Sequence, residues 1–260
     1  MSTVLVTGAT GNVGREVVGA ARARGLTVRA ADRDESRARE LLGNEVDVVR
    51  LDYRDRSTFA CADGADALFL MRPPAIADVA DTLLPFVDEA RRRGVSTGWT
   101  ILRPGFFAQN FGDAYRRDIV ADDRVYVPAG RGRVTFVDVR DLAEVAAAAF
   151  AFPTAHDLHA YTLTGAEAVG FTSAAARLTD VLGRPIRYEA ASIVGYVLHL
   201  RGRGMPWAQV GVQTVLHAGL RFGQAERVDP TLERLLGHRP RSLEDYFRDH
   251  RNRWEREVRP

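Results

Sequence analysis

Three glycines at the start of the chain, Gly8, Gly11 and Gly14 in Thr3-Val-Leu-Val-Thr-Gly-Ala-Thr-Gly-Asn-Val-Gly14, stand where an apolar run gives way to a helical pattern. Glycine at such a turn lets the main chain come close to a pyrophosphate, and the free amides that open a helix attract its charge. Eighteen residues past Gly14, Asp32 ends the next apolar run. A carboxylate at that distance suits the hydroxyls of an adenosine ribose. Glycine triplets also occur in plain turns. The strand before, the helix after and the acid at this distance together favour a dinucleotide.

Other chemistry is narrowed by what the chain lacks. All 36 of its Lys+Arg residues are arginine. Arginine keeps its proton, so a mechanism that titrates an amine or forms a Schiff base is excluded. The lone cysteine, Cys61, allows neither an internal disulfide nor a cysteine zinc cluster, and is expected as a small buried hydrophobe. His156 and His159 are three apart with no third ligand in view, so no metal is expected. Tyr115, Tyr126 and Tyr161 are candidate proton donors, although none has a neighbour in sequence that would lower its pKa. No Gly-x-Ser-x-Gly elbow suggests hydrolysis.

The elements that must carry the glycine turn alternate between strand and helix. Strands are predicted at Val4–Val6, Thr27–Ala31 and Val46–Leu51, with a buried fourth at Ala67–Met71. Helices are predicted at Val13–Arg24, Ser36–Leu42 and Ile76–Arg93, with Gly25, Gly43 and Gly94 in the capping position. The last of these leads into a strand at Trp99–Leu102. Such alternation implies an α/β fold of Rossmann type, a doubly wound parallel sheet covered by helices on both faces. Further on, Arg124–Val127 and Val134–Val137 flank Pro128–Gly132 like a hairpin, and a helix runs from Asp138 to Phe150. Tyr161–Leu163 reads as a strand, Ser173–Leu182 as a helix, and the pattern after Ile186 is mostly helical. The expected division is a dinucleotide-binding domain over 1–183, with 111–132 reaching a substrate cleft, and a small helical lobe over 184–260.

With 260 residues and 46% hydrophobic content, the chain can build such a core without covalent staples. A net charge of +2 implies no polyanionic partner, and acids interleave the arginines near the end, so nucleic acid is not expected. No apolar segment reaches membrane-span length and no leader opens the chain, which points to the cytoplasm.

The glycine turn, taken with Thr100-Ile-Leu-Arg-Pro-Gly-Phe-Phe-Ala-Gln-Asn110, resembles the NmrA-like atypical short-chain dehydrogenase/reductase family, including its NAD(P)H:quinone oxidoreductase branch. Gly130-Arg-Gly-Arg-Val-Thr-Phe-Val-Asp-Val-Arg-Asp-Leu-Ala143, Tyr161-Thr-Leu-Thr-Gly165 and Leu236-Gly-His-Arg-Pro-Arg-Ser-Leu243 follow in family order. The resemblance implies a Rossmann domain, a small C-terminal lobe and a substrate cleft between them. It also implies NAD(P)(H) as cofactor, with Thr7, Gly8, Gly11, Asn12, Val13 and Gly14 around the phosphates. Asp52 and Tyr53 would lie near the adenine, and Met71, Arg72 and Pro73 near the nicotinamide-side ribose. Asp32 points toward NAD; Arg33 and Arg37 point toward the 2′-phosphate of NADP. The balance at this stage leans to NAD.

One departure from the family is large. Relatives carry a further strand, an active-site loop and a helix where Ala90-Arg-Arg-Arg-Gly-Val-Ser-Thr-Gly-Trp99 makes a direct connection here. That segment holds the catalytic serine and Tyr-x-x-x-Lys of typical short-chain reductases. A reductase without them suits an acceptor such as a quinone, whose product anion is already delocalised. Arg103 and Asn110 are the polar candidates near a substrate oxygen, and Phe106, Phe107, Tyr196 and Trp207 the candidates for a flat apolar pocket. No catalytic residue is assigned. The reading is a reductase acting on a small quinone-like or conjugated carbonyl compound. A non-catalytic redox sensor of the same fold is the alternative, with a second copy or a regulatory protein as possible partner.

Overall fold

A computed structural model of the chain describes residues 2–72 and 79–255. In chain order its elements are β1 (Thr3–Thr7), α1 (Asn12–Ala23), β2 (Thr27–Asp32), α2 (Glu35–Leu42), β3 (Asp47–Arg50), β4 (Ala67–Phe69), α3 (Leu83–Arg92) and β5 (Thr100–Pro104). Then come α4 (Arg116–Asp122), β6 (Arg124–Val127), β7 (Arg133–Val134), α5 (Val139–Ala151), α6 (Pro153–His156), β8 (His159–Leu163) and β9 (Val169–Gly170). The chain closes with α7 (Phe171–Leu182), β10 (Arg187–Ala190), α8 (Ile193–Gly202), α9 (Trp207–Gly219), α10 (Thr231–Leu236) and α11 (Leu243–Asp249). The start of the predicted helix from Ile76 lies outside the described residues. Contacts divide the chain into two units, Met1–Leu102 with Val139–Tyr161, and Arg103–Asp138 with Thr162–Pro260.

The first unit is built on a four-stranded parallel sheet in the order β3-β2-β1-β4. Val4, Leu5 and Val6 of β1 are fully buried, as an unbroken apolar run at the centre of a two-sided sheet should be. α1 lays Val13, Gly14, Val17, Val18 and Ala21 inward and packs along α5. The alanines of α5, with Ala143, Ala146 and Ala147 buried, allow a close helix pair. A second cluster joins Leu5, Leu51, Phe59, Cys61 and Phe86, so Cys61 is the buried hydrophobe expected of it. Burial pushes its thiol up to about 11.

Three features of this unit and its boundaries differ from expectation. β4 is the edge of the sheet and half-buried, whereas a buried fourth strand was predicted. The strand after α3 does not join it; β5 pairs with β8 instead, and Ser96 N–H to the Asp66 carbonyl is a single main-chain bond alongside β4. The units also do not divide at 183. α5 packs on α1 and so carries residues 139–161 back to the first unit, while β6 pairs with β10 across some sixty residues and holds both in the second.

The second unit contains no hairpin at Pro128–Gly132. β6 runs parallel to β10, and β7 pairs antiparallel with β9. Its core is aromatic. The Phe111 ring meets Tyr115, Phe136 and Phe247 edge-on at 5.2, 5.3 and 5.0 Å, a favoured arrangement for aromatic pairs. The Trp254 indole N–H donates to the Phe111 carbonyl at 2.8 Å. α11 opens on a capping box in which Ser242 and Asp245 satisfy each other's amides.

Candidate dinucleotide site

The glycine turn sits at the carboxyl end of the parallel strands, where open α/β sheets take their ligands. Thr7 is buried. Its hydroxyl donates to the Phe69 carbonyl at 3.0 Å and accepts from the Met71 amide at 3.1 Å, tying the ends of β1 and β4 together. Gly8 has φ +61, which a side chain disfavours. Gly14 is needed for packing, since a Cβ there would strike the Gly8 carbonyl and come within 2.8 Å of Ala9 Cα. Gly11 differs. A Cβ on it would lie 3.3 Å from the Gly8 oxygen and 4.0 Å from Met71 Cε, a fit needing only a small shift.

Gly11 is also the N-cap of α1 and offers no side chain to its amides, and no acid lies in the first turn. Helices of this length usually open on a Ser, Thr, Asp or Asn cap. Here the helix opens with no side-chain cap, an arrangement that suits an anion. Two buried polar atoms add to this, for neither Arg15 Nε nor the Tyr53 hydroxyl makes a well-formed hydrogen bond among the described residues. Arg15, which sequence reasoning passed over, holds Asn12 Oδ1 through its terminal nitrogen at 3.4 Å. A cation in the opening turn of a helix opposes the helix dipole, and that was the available signal. The Tyr53 ring packs edge-on against Phe86 at 5.5 Å, and burial pushes its hydroxyl up to about 12. Asp52 is half-buried and its carboxylate accepts the Arg54 amide at 3.0 Å.

The acid at the end of β2 is engaged locally. Asp32 Oδ2 accepts the Thr10 hydroxyl at 2.7 Å and the Thr10 amide at 3.3 Å, and Oδ1 accepts the Asp34 amide at 3.3 Å. Thr10, inside the glycine turn, is a second residue that sequence reasoning missed. Arg33 and Arg37 are exposed, and neither guanidinium has a partner among the described residues. Asp34 caps α2 by accepting the Arg37 amide. Met71 stands over Gly8, Arg72 is exposed, and Pro73 lies outside the described residues.

The six substrate candidates all fall in the second unit, and the structure does not gather them into one pocket. Tyr196 is only 2% exposed and its hydroxyl reaches Gln213 Oε1 at 3.4 Å, so it belongs to the core. Trp207 is 66% exposed with the Arg201 guanidinium 4.6 Å over its ring. Composition cannot separate an aromatic that lines a pocket from one that fills a core, and both fates occur here. Phe106 is half-buried, edge-on to His217 at 5.8 Å, and Phe107 bridges Val137 through its main chain. Asn110 uses its main chain to start the turn before α4, accepting the Tyr115 amide at 2.9 Å. Arg103 is exposed and without a partner among the described residues.

The tyrosines also found partners invisible in sequence. Tyr115 OH lies 2.7 Å from His217 Nε2, and His217 Nδ1 lies 2.7 Å from the Gln213 carbonyl. A carbonyl only accepts, so Nδ1 carries the proton and Nε2 takes that of Tyr115. Burial lowers the pKa of this histidine and raises that of the tyrosine. Asp118, 3% exposed, is held by His199 at 3.1 Å and by Arg203. Tyr126 faces His199, and Tyr161 meets His156 Nδ1 at 3.1 Å.

A model described as the NmrA-like family matches residues 1–96. NAD(P)H azoreductase of Xenophilus azovorans is 29% identical over 281 positions, covering 95% of this chain and 97% of that protein. (4-Alkanoyl-5-oxo-2,5-dihydrofuran-3-yl)methyl phosphate reductase of Streptomyces griseus is 31% identical over 280 positions, with 95% and 97% covered. Both alignments are longer than the 260-residue chain, so each opens gaps within it. Among solved structures, the NADPH complex of the NADPH-dependent quinone oxidoreductase of Escherichia coli superposes with a TM-score of 0.81 at 22% identity, covering 96% of this chain and 99% of that one. Its likeness is one of fold. With the family's pattern on the first 96 residues and a 31%-identical relative matched along 95% of its length, this chain belongs to the NmrA-like family.

Proposed function

We propose that this protein is an NAD(P)H-dependent reductase that passes hydride to a small conjugated acceptor of quinone, azo or conjugated-carbonyl type, with NADPH as its preferred donor. The observation that carries the reading is the start of α1 at Gly11, which has no side-chain cap and lies close against the Gly8 carbonyl, where a side chain would crowd the turn. Main-chain amides there take a pyrophosphate, and Arg15 and Tyr53 bring buried polar atoms that make no well-formed hydrogen bond among the described residues. The names of the two full-length relatives, both reductases, support the reaction class.

The lean toward NAD drawn from Asp32 gives way to NADPH. Both oxygens of that carboxylate already accept hydrogen bonds from the turn and from Asp34, whereas the Arg33 and Arg37 guanidinia are exposed and have no partner among the described residues. A guanidinium fork pairs well with a phosphate, and two of them suit the 2′-phosphate better than a ribose hydroxyl.

When bound, reduced nicotinamide supplies the hydride. The chain's own part is to orient and to exclude water: Thr7 fixes the strand ends, Met71 covers the turn, and the α1 amides hold the diphosphate. No lysine is present to partner a catalytic tyrosine. With no catalytic acid assigned, the reading favours a quinone or azo acceptor, whose reduced form can take its proton from solvent, over a simple ketone.

Steady-state oxidation of NADPH and NADH with a panel of quinones and azo dyes tests this, alongside calorimetric binding of each dinucleotide. Turnover with at least one acceptor class and tighter binding of NADPH are expected. Tight binding without turnover on any acceptor would favour a redox sensor.

A further inference from the structure

α9 is built inside out. Its inward face carries Thr214, His217 and Gln213 with Val210, while its exposed face carries Trp207, Gly211, Val212, Val215 and Leu216 with the single polar Gln209. A surface helix ordinarily turns its apolar stripe to the core and its polar residues to water. The neighbouring α8 does the same on a smaller scale, with Ile193, Val194 and Leu198 exposed at 48, 69 and 66%. Both helices send their buried residues, Tyr196, Leu200 and Val210, into one core cluster. Their exposed stripes therefore lie together on its outer side.

We propose that this outer face of α8 and α9 is a dimerisation surface, on which a second copy packs the same face about a two-fold axis. Two observations select a second copy. The first is charge: no Asp, Glu or Arg occurs from Ser192 to Leu200 or from Met205 to Leu220. A patch that meets itself across a two-fold must not repel itself, and apart from the Arg201 guanidinium stacked over the Trp207 ring this one carries no charge. The second is area. Trp207, Val194, Leu198, Val212, Val215 and Leu216 are each 52% exposed or more, which for side chains of their size leaves on the order of 700 Å² in water. That exceeds the roughly 300–600 Å² patch of an ordinary monomer and approaches the ~800 Å² that each partner buries in a standard interface.

Gly211 sits in the middle of the stripe, exposed, with nothing within 4 Å of where a Cβ would be. Its own chain gains nothing from glycine there, and mid-helix glycine costs about 1 kcal/mol against alanine. A flat spot at the centre of the face lets a second helix approach closely. A lipid surface is disfavoured because interfacial helices carry lysine and arginine on a free polar face, and the polar face of α9 is already packed inward.

Light scattering on the eluting full-length chain, at micromolar concentration and with no dinucleotide added, tests the proposal. The expected mass is that of two chains. Val215→Glu and, separately, Val194→Glu weaken the dimer at least about 30-fold, as for a central interface residue, with unchanged circular dichroism. Leu41→Glu, an exposed leucine of the first unit, leaves it intact. A monomeric wild-type chain would overturn the proposal, and so would a dimer that survives both charge substitutions. A monomer that sediments with phosphatidylcholine–phosphatidylglycerol vesicles would replace it with a lipid surface. The outcome is independent of dinucleotide binding, so it fails separately from the reductase reading.

Discussion

The glycine turn of the first unit and the aromatic cluster of the second achieve order by opposite means. Around Gly8, Gly11 and Gly14 the main chain does the positioning, and α1 opens with no side-chain cap. Around Phe111 the side chains do the positioning, with rings meeting at 5.0 to 5.3 Å and buried polar groups such as Tyr115 and His217 satisfying each other. A region that spends its contacts on packing has little left to offer a ligand. A helix start that carries no side-chain cap is equipped for one. The comparison predicts that damage to the second unit shows first in stability, and damage to the first in binding.

The largest effect expected is at the cluster itself. Phe111→Ala removes a fully buried ring and should cost ~3–5 kcal/mol in urea unfolding. A loss below about 1 kcal/mol would mean that the cluster is not the core of its unit. In the first unit, Arg33→Ser should leave stability unchanged and lower NADPH affinity about 10- to 100-fold, the equivalent of ~1.5–3 kcal/mol for a charge-assisted bond. NADH affinity should hold. Equal losses for both dinucleotides would remove the 2′-phosphate from the argument.

A pH series separates the units further. Burial lowers the pKa of His217 in the folded chain, so below its ordinary value of 6.5 the unfolded chain takes up a proton that the folded one refuses. Stability should fall as pH drops from 7 toward 5, with a contribution from this group of at most about 1.4 kcal/mol per pH unit. His217→Gln should flatten that part of the curve, and parallel wild-type and variant curves would contradict it. The smallest effect belongs to Tyr53→Phe, which deletes a hydroxyl that makes no well-formed hydrogen bond among the described residues and should change stability by under about 1 kcal/mol. A clear loss would show that the hydroxyl is bonded after all.

Much of the first unit was legible because its rules are local. A glycine at positive φ ends α1, α2 and α3 at Gly25, Gly43 and Gly94, each within a residue or two of an apolar pattern that also stops. Strand, turn and helix around Gly8 follow one another without a break from Thr3 to Ala23. The errors there were of pairing rather than of element: β4 was placed inside the sheet because its sequence is apolar, yet nothing in that sequence says that β5 would choose β8. The second unit is joined across long stretches, β6 to β10 and Asp118 to His199, which no local pattern announces. Phe106, Tyr196 and Trp207 were grouped by type alone, and the fold sends one to an edge, one to the core and one to the surface. α9 defeats the usual inference outright, since its apolar stripe faces water. Asp32 shows a subtler limit: its position was read correctly, but its partner Thr10 decides what it can bind.

The measurement that bears most directly on the account is calorimetric titration of Gly11→Val with NADPH, paired with its thermal unfolding. A Cβ at Gly11 would stand 3.3 Å from the Gly8 carbonyl oxygen and needs only a small shift, which the unfolding curve checks; in the folded variant the branched side chain should cover the start of α1 and abolish detectable binding. A folded Gly11→Val protein that binds NADPH with wild-type affinity would contradict the account, because no diphosphate could then be resting on the start of α1.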